Sequence, residues 1–153
     1  SFDEFASEVM VAYDHWRGRG YFDHFLLDPA IDYLKKGLTG TCASCHFEAR
    51  KCFHTITVYP DRTFSLCDEL DGGERVPLTN ADGVGNIADV IEGHTKMEAP
   101  LTAFLSQQCE GCEVRAHCHG GCVAIRRRAA RLGRSEAYCQ MQKDLFHYFA
   151  LSA

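Results

Sequence analysis

The sequence has no apolar run long enough to span a membrane and nothing with the pattern of a signal peptide. It also lacks any excess of basic charge: the formal net charge is -5, which argues against a general nucleic-acid binder. No internal repeat and no low-complexity tract occurs, so a repeat array or a disordered chain is a poor description. These absences predict a soluble, cytoplasmic protein with neither nucleic-acid nor membrane partners. At 153 residues and 46% hydrophobic, the chain is long and apolar enough to bury a core.

What is present in excess is cysteine, with nine in the chain. Disulfides suit this poorly, because the count is odd and nothing marks secretion. Structural zinc is open, since Cys-x-x-Cys pairs are what zinc ribbons use. Iron–sulfur clusters are equally open, because they too take thiolates in fours. Four of the cysteines, Cys109, Cys112, Cys118 and Cys122, fall within fourteen residues, and Cys139 follows. Thiolates this close in sequence point to a soft metal centre. Gly120 and Gly121 allow a tight bend between the last two of the four.

Taken in order, Ser1 to Arg17 predicts an amphipathic helix with capping-box spacing at Ser1 and Glu4. Phe2, Phe5, Val9, Tyr13 and Trp16 would face a core. Asp28 and Pro29 predict the start of a second helix, with Gly37 as its stop. Cys42, Cys45 and Cys52 follow. Phe53 to Val58 and Thr63 to Cys67 read as a β-hairpin with its turn at Tyr59 to Arg62, bringing Cys52 and Cys67 together. Asp71 to Gly83 reads as an exposed loop, then a short helix near Ala88 to Glu92 and another over Ala99 to Gln107. A helix after Cys122 carries Arg126, Arg127, Arg128, Arg131 and Arg134. It reads as a solvated face, with a docking patch for an acidic partner as the alternative. Gln140 to Leu151 predicts the last helix.

The run Cys45, Cys52, Cys67, then Cys109-x-x-Cys112-x5-Cys118-x3-Cys122, then Cys139 resembles the SPASM domain. This is the C-terminal auxiliary-cluster domain of radical S-adenosylmethionine (SAM) enzymes that modify peptides and proteins. The resemblance covers roughly residues 41–150. It also includes the Val58-Tyr-Pro-Asp61 turn, Gly85-Asn-Ile87 and the Gly-Gly before Cys122. Arg62 departs from it, standing where glycine is common.

The resemblance implies an α+β fold, a small β-hairpin and several helices around two cluster sites. Residues 1–40 would be a helical connector to a radical SAM barrel, and 41–153 the auxiliary-cluster domain. It implies two 4Fe–4S clusters: Cys45, Cys52, Cys67 and Cys122 for the first, and Cys109, Cys112, Cys118 and Cys139 for the second. Cys42 is the alternative to Cys45. Bound clusters would give the loops much of their order.

The chain has no Cys-x3-Cys-x2-Cys loop, because Ile125 stands where its third cysteine would be, and no barrel pattern. It is therefore expected to be inactive alone and to belong to a longer oxidoreductase that matures peptides. S-adenosylmethionine would bind only in that enzyme's barrel. The barrel and a precursor peptide are the implied partners. Asp68 would be a candidate base, with an ordinary turn acid as the plain alternative. His46, His117 and His119 read as exposed loop residues beside ligands. The competing class is a zinc-stapled peptide- or protein-binding module without redox chemistry.

Overall fold

A computed structural model describes residues 1–42, 44–48, 56–65, 67, 69, 75–77, 92, 96, 100 and 103–152. Cys52, Asp68 and the expected helix start at Ala88 lie outside the described residues. Helix α1 spans Phe2–Gly18, and Ser1 and Glu4 form the expected capping box. Ala6, Val9, Tyr13 and Trp16 are buried along one stripe. Phe5 is not part of that face: it is 44% exposed, at the edge of the stripe where two cavities open beside it.

Helix α2 spans Ala30–Thr39. Its N-cap is Pro29, with no side-chain cap, so the expected acid cap at Asp28 falls one residue early. Gly37 does not stop it. The helix runs through Gly37 and ends at Gly40, whose left-handed backbone (φ 72°) sends its N–H to the Lys36 carbonyl at 3.0 Å.

The hairpin forms, with β1 at Thr57–Val58 and β2 at Thr63–Ser65; residues 53–55 and 66 of the expected strands lie outside the described residues. Thr57 pairs with Ser65 and Val58 with Phe64. A third antiparallel strand, β3 at Val76–Pro77, extends the sheet in a region expected to be exposed loop. Pro77 sits on the edge strand, where its missing N–H breaks no ladder. In the turn, Arg62 donates to the Tyr59 carbonyl at 3.1 Å and Tyr59 to the Thr63 carbonyl at 2.9 Å. Closing it forces Arg62 to φ 63°, a conformation that favours glycine.

Residues 103–108 are helical and lead to Cys109. Then come α3 (Arg115–Cys118), α4 (Val123–Arg131) and α5 (Ser135–Ser152). The last helix starts five residues earlier than expected, so Cys139 lies on it and not before it. The main core joins α1, α2 and α5. Tyr33 is at its centre, 5.7 Å from the Phe149 ring in a stacked pair and 4.8 Å from both Phe47 and Phe146. Residues before 41 and after 134 therefore share one core. The architecture is α+β and mostly helical. Among the described residues no helix is long and apolar enough to cross a membrane.

Two substitutions check this account. Phe149 is 1% exposed, so Phe149→Ala should cost about 3–5 kcal/mol in urea unfolding; a loss under about 1 kcal/mol would remove α5 from the core. Arg62→Gly should add about 1 kcal/mol by relieving the left-handed strain, read as a higher melting temperature.

Candidate metal centre

The described cysteines, Cys42, Cys45, Cys67, Cys109, Cys112, Cys118, Cys122 and Cys139, are not joined in disulfides. Cys109, at the end of the helical segment 103–108, is 7% exposed. Burial pushes its pKa up, Arg126 opposes this, and the charges of Cys139 and Cys112 push it up further. Cys112 and Cys139 thus both lie within electrostatic reach of Cys109, although Cys139 comes from a helix about thirty residues away. Cys118 faces the next turn of α5, its thiol 3.9 Å from Gln142 Oε1, which also accepts from the Tyr33 hydroxyl at 2.9 Å.

Cys122 faces elsewhere. Burial raises its pKa, but a hydrogen bond with His46 and the backbone of Ile125 and Ala124 outweigh this and hold it below the ordinary thiol range. Cys122 and Cys67 pack on the same small apolar cluster of Leu105, Val123 and Ala124. Cys45 adjoins His46 in a short 3-10 turn at Cys45–Phe47. Cys42 bonds its own turn, its thiol 3.6 Å from the Ser44 carbonyl. Cys52 and Asp68 cannot be placed against this group, being outside the described residues. Among the described residues no three His, Cys, Asp or Glu side chains converge on a single ion.

The bend at Gly120–Gly121 separates Cys118 from Cys122. Both glycines have positive φ, 92° and 67°. A Cβ at 120 would stand 2.7 Å from Leu105 Cδ2, and one at 121 would overlap the Tyr138 hydroxyl. That hydroxyl accepts from the Cys122 N–H at 2.9 Å. Burial raises the Tyr138 pKa, and the charges of Cys118 and Cys122 raise it further, so its ring lies within reach of both cysteine groups.

Arg126 is the residue that sequence reasoning misplaced. It is 2% exposed, not on a solvated face. Its Nε donates to the Gly120 carbonyl at 2.8 Å, and its guanidinium lies 5.4 Å from the Tyr138 ring. Burial pulls its pKa down, but the charges of Cys139 and Cys109 and a hydrogen bond with Cys139 more than offset this. Nη1 is buried with no hydrogen-bond partner among the described residues. A signal existed in the sequence: Arg126 stands three residues from Val123 and three from Ala129, on the apolar stripe of α4. Arg128 does reach solvent, pairing with Glu69 at 3.7 Å. His46 is exposed as expected, and it also bonds Cys122, while His117 is not exposed but half-buried in α3, its ring 6.0 Å from Phe146.

Neighbouring thiols beside a buried arginine with one orphaned nitrogen have the chemistry of a negatively charged, thiolate-held centre. A cavity of ≈ 510 Å³ lies nearby, with Phe2, Phe5, Phe47, Met141, His46 and Arg134 among its walls.

Gly121→Ala should destabilise the bend by more than about 1 kcal/mol, because it combines positive φ with an overlap. Tyr138→Phe removes the overlapping hydroxyl, so the double variant should lose less than the two single losses added. Additive losses in a urea double-mutant cycle would show that Tyr138 does not restrict position 121.

No protein-family model, curated protein or solved structure matches the chain, so the reading of this site rests on its own residues.

Proposed function

We propose that the chain is the C-terminal auxiliary iron–sulfur domain of a radical SAM enzyme that modifies a peptide. The observation that carries this is the neighbourhood of Cys109, Cys112 and Cys139 to buried Arg126, whose Nη1 has no hydrogen-bond partner among the described residues. Cys109, Cys112, Cys118 and Cys139 would hold one 4Fe–4S cluster, and Cys45, Cys52, Cys67 and Cys122 the other. Such clusters supply one-electron transfer when bound. The chain's part is to bury the thiols, keep the two groups apart with the Gly120–Gly121 bend, and position substrate.

Support for positioning comes from the apolar cavity, which shares His46 with Cys122. A peptide side chain seated there would lie beside the first cysteine group. Asp68 remains the candidate base in this proposal. The barrel and its S-adenosylmethionine would belong to the rest of the parent enzyme.

Metal and sulfide analysis on anaerobically prepared protein tests the reading. The wild type should carry about eight iron and eight sulfide, with a broad visible shoulder, and Cys139→Ser about half of each. About two zinc per chain with no sulfide, persisting after anaerobic reconstitution with iron and sulfide, would instead establish a zinc-stapled binding module.

A further inference from the structure

We propose that Arg126 is the counter-charge of the anionic centre held by Cys109, Cys112 and Cys139, and that it sets how readily that centre accepts an electron. This rests on the iron–sulfur reading above. Arg126 is 2% exposed, and a buried guanidinium is costly unless charge and hydrogen bonds compensate it. It hydrogen-bonds with Cys139 and lies 5.4 Å from the Tyr138 ring, and the Gly120 that it holds stands against Cys109, whose Sγ would be 3.6 Å from a Cβ there. Its Nε is fixed by the Gly120 carbonyl at 2.8 Å, so the group is anchored and not free to swing to solvent. Its Nη1 is left without a partner. An arginine fork held by the Gly120 carbonyl and Cys139, with Nη1 left over, suits an acceptor with charge spread over several sulfur atoms.

The electrostatic consequence has a definite sign. A one-electron reduction makes a thiolate-held cluster more negative. A fixed positive charge beside it favours the reduced form, and the low local dielectric enlarges the effect. Removing the charge must lower the reduction potential. A purely structural role, tying Gly120 to α4, moves stability but not potential.

The test uses the full chain, loaded anaerobically with iron and sulfide and titrated with dithionite in the presence of redox dyes. Arg126→Lys keeps the charge and loses the fork. Arg126→Gln keeps a donor and loses the charge. With iron content matched, Arg126→Gln should weaken reduction of one centre at least tenfold, about 59 mV for a one-electron couple, while Arg126→Lys stays close to wild type. An unchanged potential in a fully loaded Arg126→Gln protein overturns the proposal, as does an equal fall in both variants. If Arg126→Gln cannot be loaded, selective loss of half its iron while Arg126→Lys retains all of it supports the counter-charge; equal loss in both overturns it. A wild type that takes up zinc and no iron defeats the iron–sulfur reading instead. Chelator competition on the zinc-loaded variants then tests the same charge: weaker retention in Arg126→Gln alone supports it, and equal retention overturns it.

Discussion

The site depends on one side chain standing over one glycine. The Tyr138 hydroxyl holds the Cys122 N–H at 2.9 Å and occupies the space a Cβ at 121 would need. Tyr138 is 1% exposed, so its position is fixed by the core below it. The bend at Gly120–Gly121 inherits that position. From the bend follow the packing of Cys118 and Cys122 in different apolar clusters and the approach of the Gly120 carbonyl to Arg126.

Helix α5 is what connects fold and site. Its first turns carry Tyr138, Cys139 and Gln142, which face the cysteine loop. Later turns carry Leu145, Phe146 and Phe149, which pack with α1 and α2. One rigid element therefore sets both the core and the placement of a thiol relative to the loop. Residues built on a helix are held more narrowly than residues built on a loop. Here the loop cysteines are brought to the helix, and α3 is fastened by Val114 and Cys118, both in the same core.

The legible parts of the sequence were those with a local cause. The capping box at Ser1, the stripe of Val9, Tyr13 and Trp16, and the turn at Tyr59 to Arg62 each need only neighbouring residues to be read. Boundaries set by tertiary packing were not legible. Gly37 continues a helix because α2 packs on α5, which local propensity does not see. Strand β3 forms because β2 offers it an edge, and two residues carry no period of their own. Arg126 was hidden by its company, since five arginines in one run suggest a wet face although one of them sits at apolar spacing. The cysteine spacing pointed to neighbouring thiols, and Cys109, Cys112 and Cys139 are neighbours. It did not show that one group lies against α5 with a cation and the other against His46.

Arg126 also bears on how strongly the site and the fold are linked. A buried donor without a partner costs about 1–3 kcal/mol, and more when charged. The chain tolerates this because the aromatic core around Tyr33 and Phe149 is assembled by other contacts. The cost is therefore local, confined to the segment between Cys109 and Arg126. An anion held by the thiols would satisfy the free Nη1 and remove that cost, and whatever binds only the folded form stabilises it by mass action. The core of Tyr33, Leu145, Phe146 and Phe149 holds α5 by apolar packing. The gain on binding falls on the loop, where the thiols and the buried charge meet.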